Sequence, residues 1–166
     1  MSGILTLAEM VWSEMQSDNF INFDRTIYAG PSILACSGLN MGRTQRLKNP
    51  AHPNLLRKQL TFSFLRVRFV TQELEYRSLL LAIFDKWKNS VRIAEGFRDR
   101  LIFVDDPDDP KLDGVTMQKP YLALHDADFD AAPYGFSGQR EERIPVEVYI
   151  YQQRFPNNQS ESLIGE

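Results

Sequence analysis

The feature that most constrains this chain is an abrupt change of hydrophobic period just after residue 70. Before it, Leu60, Phe62 and Phe64 alternate with Thr61 and Ser63, and Leu65, Val67 and Phe69 alternate with Arg66 and Arg68. A period of two places alternate side chains on opposite faces of a strand. After it, Tyr76, Leu80, Ile83, Phe84, Trp87, Val91 and Ala94 recur every three or four residues, while Arg77, Asp85, Lys86, Lys88 and Arg92 lie off that stripe. This is the period of an amphipathic helix. A strong strand over residues 58–71 followed by one long helix over residues 73–95 predicts an α+β domain with the helix laid on the sheet. The strand changes phase between Phe64 and Leu65, so a β-bulge or burial of both faces is expected there. Gly96 is expected to stop the helix.

A first helix is predicted over residues 4–15, where Ile4, Leu5, Leu7, Ala8, Val11, Trp12 and Met15 share a face. Ser2 is its expected cap, and Ser17, Asp18 and Asn19 its end. Two strands are expected in residues 20–36, from the runs 20–23, 26–28 and 33–36. Residues 37–54 show no apolar period and contain Gly38, Gly42, Pro50 and Pro53, which predicts a long basic loop. A short strand is expected at residues 101–104, an exposed acidic turn at 105–114, and a strand broken by Pro120 at 115–124, which the proline demotes to an edge. A second long loop follows at 125–139. Residues 144–152 form a closing strand with Val146, Val148 and Ile150 on one face and Glu147, Tyr149 and Tyr151 on the other. The expected fold is therefore α+β: an N-terminal helix, an antiparallel or mixed sheet of about four to six strands, one long amphipathic helix packed on it, and long loops. With 166 residues, 43% hydrophobic and 25% charged, the chain is predicted to be one domain over residues 1–155 with a C-terminal tail at 156–166 that orders against a partner. The expected core is Val11, Trp12, Phe62, Phe64, Ile83, Phe84, Trp87, Val148 and Ile150.

Several chemistries find no support in the residues. Cys36 stands alone, so neither an intrachain disulfide nor a zinc site of several thiolates is possible. It sits among apolar residues and reads as a buried, inert thiol. No apolar run approaches the ~18 residues of a membrane span, and the first six residues show neither a basic region nor a cleavage site. A soluble protein made in a cytoplasm is expected, with no membrane partner. His125, Asp126, Asp128 and Asp130 resemble a cluster of metal ligands. The calcium-loop template, however, needs Gly sixth and an acid twelfth, and counting from Asp126 these places hold Ala131 and Ser137. Neither His52 nor His125 stands in a nucleophile motif, and residues 37–42 lack the Lys-Ser/Thr of a phosphate loop. The chain is read as a non-enzyme with no catalytic residue, cofactor or metal.

The net charge of −3 is unevenly distributed. Arg25, Arg43, Arg46, Lys48, Arg57, Lys58, Arg66 and Arg68 occur between residues 25 and 72 with no acid among them, a charge of +8. Asp105, Asp106, Asp108, Asp109, Asp113, Asp126, Asp128 and Asp130 stand against Lys111 and Lys119 between residues 105 and 130, a charge of −6. Two readings follow: the segments neutralise each other within the fold, or they steer copies into head-to-tail assembly. The residues expected to contact a neighbouring subunit or partner are Arg43, Arg46, Lys48, Arg57 and Lys58, with Asp105, Asp106, Asp108 and Asp109 as the acidic counterpart. The five basic residues also suit non-specific contact with DNA phosphates, although no aromatics interleave with them.

The helix at residues 4–15, the strand at 60–70, the helix at 74–94 and the final strand at 146–151 together resemble the tail terminator proteins of long-tailed bacteriophages, the lambda-like minor tail protein U group. The likeness is one of architecture, and residues 38–57 and 105–139 stand as insertions to it. It implies a structural virion protein, assembled in the host bacterial cytoplasm as a homohexameric ring. That ring caps the tail tube and joins it to the head-neck connector; incidental, non-specific contact with passing DNA is compatible with the basic residues. A head-tail connector or neck protein is the nearest rival, and a cellular α+β module binding nucleic acid is the rival of a different class.

Overall fold

The computed structural model describes residues 3–16, 32–51, 54–69, 76–112, 120–127 and 139–153. The elements, in order, are α1 (Ile4–Met15), β1 (Ser32–Arg46), β2 (Leu55–Phe69), α2 (Tyr76–Lys88), α3 (Val91–Phe97), β3 (Leu101–Val104), β4 (Tyr121–His125) and β5 (Gln139–Gln153). The described strands form one five-stranded mixed sheet, ordered β1-β2-β5-β4-β3, in which, among these strands, β3 and β4 alone pair in parallel. The fold class is α+β, as the change of period predicts.

β2 and β5 are the spine of the sheet, pairing without a break from Leu55↔Gln153 to Phe69↔Gln139. Their alternation puts Leu60, Phe62 and Phe64 beside Ile144, Val146, Val148 and Ile150 on one face. On that face lie Ile4, Leu7, Ala8, Val11 and Met15 of α1, Leu79, Leu80, Ile83 and Trp87 of α2, and Ile93 and Phe97 of α3. Trp12 stacks on Phe62 with ring centroids 5.9 Å apart. All nine residues expected in the core are buried in this cluster or packed against it. Pro145 is accommodated within β5 because it lies beyond Leu124↔Val148, where pairing with β4 ends; its missing N–H takes nothing from that ladder.

Three expectations are corrected. The loop predicted over residues 37–54 is mostly strand: β1 runs to Arg46 and forms a hairpin with β2. Its apolar period is hidden by two irregularities of register, between Cys36 and Gly38 and between Met41 and Thr44. Cys36, Leu39 and Met41 all pack on the main core, opposite Phe64, Phe62 and Leu60, at spacings of three and two residues rather than two and two. Each bulge inserts one residue and so reverses the faces. β2 itself has no bulge at Phe64 and Leu65, where its pairing with β5 is unbroken; the bulge beside Phe64 is in β1. The second correction is at residues 73–95, where the amphipathic run is divided into α2 and α3 at Asn89 and Ser90. Ser90 has an extended backbone and caps α3: its Oγ accepts from the Ile93 N–H at 3.3 Å and donates to Glu14 Oε1 at 2.6 Å. Restarting the helix turns Ile93 and Phe97 inward and leaves Val91 and Ala94 exposed. Gly96 is inside α3, not at its stop; a Cβ there would run into Met10 Cε, so the glycine permits the close approach of α1. Third, β4 is an interior strand between β5 and β3, with Pro120 just before it. The runs 20–23 and 26–28, residues 115–119 and 128–138, and the tail from residue 154 lie outside the described residues, as does Ser2.

Candidate functional site

The sheet face opposite the helices carries a second, smaller cluster: Leu47, Leu55, Val104, Leu112, Tyr121, Ala123, Tyr149 and Tyr151. It is covered by residues 105–112, an acidic strap that leaves the end of β3 and begins the connection to β4. A parallel pair needs such a crossover, because the chain must return to the same end of the sheet. Here the crossover is used to close a face.

Arg57 fastens the strap. It projects from β2 beside Tyr149 and Tyr151, since Arg57 pairs with Tyr151 across the ladder. Its guanidinium donates to Pro107 O at 3.0 Å and to Asp108 Oδ1 at 2.5 Å, and lies 5.5 Å from the centre of the Tyr149 ring. Tyr151 Oη donates to the same Pro107 carbonyl at 2.7 Å. From the hairpin, Asn49 Nδ2 donates to Asp108 O and Asp109 Oδ1, both at 3.1 Å. At the other end of the strap, His125 Nε2 lies 3.2 Å from Asp105 O and its Nδ1 2.7 Å from Glu147 Oε2, which also accepts from Tyr149 Oη at 3.0 Å. Asp126 is paired with Arg77 of α2.

The cover has electrostatic consequences. Burial, reinforced by the Glu147 carboxylate, pushes the Tyr149 phenol far above its ordinary value. Burial does the same to Tyr151, against the opposing pull of Arg57. On the main-core side, burial raises the Cys36 thiol to about 11, only partly opposed by a hydrogen bond with the Gly38 backbone. A thiol so placed holds little thiolate at neutral pH and is a weak nucleophile.

The residues expected to contact partners thus divide into groups. Arg43, Arg46 and Lys48 are exposed, along β1 and just after it. Arg57 is half-buried in the strap's fastenings. Lys58 is 4% exposed and on the core face of β2, where its Nζ donates to the Gly42 carbonyl in the bulge at 2.8 Å. Asp106 accepts from the Asp108 N–H at 3.0 Å, which shapes the strap's turn, and Asp109 pairs with Lys111. Of the two readings of the opposed charges, adjacency within one chain is what Arg57, Asn49 and the strap display. Among the described residues no group of three His, Cys, Asp or Glu side chains is placed to hold a metal ion; Asp128 and Asp130 lie outside them. No helix of the described residues is long and apolar enough to cross a membrane.

Where the hairpin meets the strap there is an open cleft of about 650 Å³, lined by Gln45, Arg46, Leu47, Lys48, Arg57 and Asp108. Sequence reasoning singles out the four charged members but neither Gln45 and Leu47 nor the nearby Asn49, Tyr149 and Tyr151. The alternation of Glu147, Tyr149 and Tyr151 marks one face of β5, and nothing local to it reveals that residues 105–112 cover that face. Comparison with family models, with curated proteins and with solved structures finds no match to this chain.

Proposed function

We propose that this chain is a structural subunit of a tailed-bacteriophage virion: a tail terminator that assembles in the host cytoplasm into a ring of six on the end of the tail tube. It halts tube growth and offers its outer surface to the neck or head connector. The observation that carries the reading is the form of the sheet. The four stretches behind the resemblance are α1, β2, the α2 and α3 pair, and β5, and they make up its centre and one covered face. The outermost of the described strands, β1 and β3, run in opposite directions, because three antiparallel steps and one parallel step separate them. Copies placed side by side in the same orientation therefore meet with antiparallel edges, an unlike contact whose repetition closes into a ring where the rotation between copies divides a full turn. Since Arg57 and Asp108 are engaged within the chain, this reading draws the contact between copies from the sheet edges and not from attraction between the two charged segments.

The test is assembly. Purified protein mixed with tail tube protein is expected to form rings at tube ends by cryo-electron microscopy, and tube length is expected to fall as its concentration rises. A chain that stays monomeric while tubes grow unchecked refutes the proposal. Rings that seat on capsid connectors and ignore tubes replace it with the neck reading.

A further inference from the structure

We propose that the cleft between the hairpin and the strap is a binding site for a chain of phosphates, with Arg46 and Lys48 as the contacting cations. The inference is independent of the virion reading, because binding by the isolated protein tests it without any assembly partner.

The fold builds this site in three steps. Leu47 is buried on the second face, and its N–H donates to Leu55 O at 2.8 Å. Its two neighbours, Arg46 and Lys48, are turned to solvent on either side of it and both line the cleft. Asn49 then pins the turn, holding the strap through its Nδ2 and accepting from the Ala51 N–H through Oδ1 at 2.9 Å. The two cations are thus carried on a short segment anchored on both sides. Among the described residues, Lys48 forms no ion pair.

The lining selects the ligand class. Among the described residues of the lining, three cations face one carboxylate, to which Arg57 is already paired, and the one apolar member, Leu47, is buried. These described residues offer no exposed aromatic on which a base would stack and no apolar floor for a peptide side chain. What it recognises is closely spaced negative charge, for which an arginine fork and a lysine point charge on neighbouring positions are suited. Recognition of this kind reads phosphates and not sequence. Asp108, held against Arg57, occupies the carboxylate position inside the cleft and opposes an incoming anion. Its removal strengthens binding, whereas removal of Arg46 and Lys48 weakens it.

The phosphate chain is either a nucleic-acid backbone or inorganic polyphosphate, and the assay separates them. Fluorescence anisotropy of a short labelled duplex DNA is measured with full-length protein, in competition with polyphosphate, with unlabelled DNA of unrelated sequence, and with polyglutamate. The two cations are expected to contribute about tenfold to the loss of affinity between 50 and 200 mM salt, from two phosphate contacts at a slope of about 0.9 each. The double substitution Arg46→Ser, Lys48→Ser is expected to lower affinity and reduce the salt slope by roughly two, with circular dichroism unchanged. Asp108→Asn is expected to raise affinity, and it decides the matter if the double variant does not fold. Unrelated DNA competing at least as well, per phosphate, as polyphosphate marks the backbone as ligand; polyphosphate competing far more strongly per phosphate than unrelated DNA marks the inorganic chain. The proposal is overturned by any of three results: no binding at 50 mM salt, wild-type affinity in the folded double variant with no gain from Asp108→Asn, or polyglutamate competing as strongly as either phosphate polymer.

Discussion

Replacing Arg57 by Met tests how the strap is held. Methionine keeps an unbranched stem between Leu55 and Tyr149 but removes the guanidinium. Four losses follow, and they are unequal; the weakest is the long hydrogen bond from Nη2 to Gln45 Oε1 at 3.4 Å. The hydrogen bond from a charged donor to the Pro107 carbonyl contributes about 1.5–3 kcal/mol. The contact over the Tyr149 ring contributes about 0.5–1 kcal/mol. The ion pair contributes at most about 1 kcal/mol, because the Asp108 side chain is 78% exposed and solvent screens it. After relief of guanidinium desolvation, a net destabilisation of about 2–4 kcal/mol is expected in urea titrations. Only the small ion-pair part should fade in high salt. The damage should also be local: the Asp108 and Asp109 amides, which donate to Asp106 Oδ1 and Asp106 O, should exchange faster with solvent while the β2 and β5 amides stay protected. A variant within about 0.5 kcal/mol of wild type, or unchanged exchange in the strap, would refute the assignment of Arg57 as its fastening.

Two further outcomes are expected. Trp87 is fully buried, so Trp87→Ala should cost roughly 3–5 kcal/mol in a thermal or urea transition; Trp87→Phe should cost less, because the indole Nε1 it removes has no hydrogen-bond partner. An unchanged midpoint for Trp87→Ala would show that α2 does not pack on the sheet as described. The Tyr149 and Tyr151 phenols have folded values raised above the ordinary ~10, so the unfolded chain releases those protons first. Their contribution to stability is therefore complete below about pH 10 and is lost as pH rises through the folded values. Ultraviolet titration should show two of the six tyrosines ionising only with unfolding, and a Tyr149→Phe, Tyr151→Phe variant should lack that late fraction. Ionisation of every tyrosine at the ordinary value in folded protein would contradict this.

The elements that read correctly from residues alone are those whose period is unbroken. β5, α1 and the middle of β2 each repeat their apolar residues over enough turns or pleats to define a face, and the core expected from them is the core found. β1 failed that test because one bulge shifts Leu39 and Met41 out of phase with Cys36 and a second follows Met41, leaving a pattern with no period at all. The long helix misled for the opposite reason. Its stripe continues through Asn89 and Ser90, so periodicity masks the local cap signal of Ser90 and places Val91 and Ala94 on a face they do not occupy. In the candidate site, charge is legible and placement is not. The basic and acidic runs are plain in the composition of their segments, but residues 57 and 108 meet only because a crossover between parallel strands passes over β2.

The sequence by itself determined the class of fold, the two strands that turn out to form the spine of the sheet and nine residues of the main core, because burial of an amphipathic face is a local, periodic demand that each segment states on its own. Only the tertiary structure decided that Lys58 is buried against a bulge carbonyl, that Arg57 holds the strap, and that Arg46 and Lys48 border an open cleft. These outcomes depend on register between strands and on the path of a crossover. Both are settled by contacts between residues some fifty positions apart, as between Arg57 and Asp108, and no pattern within either segment carries that information.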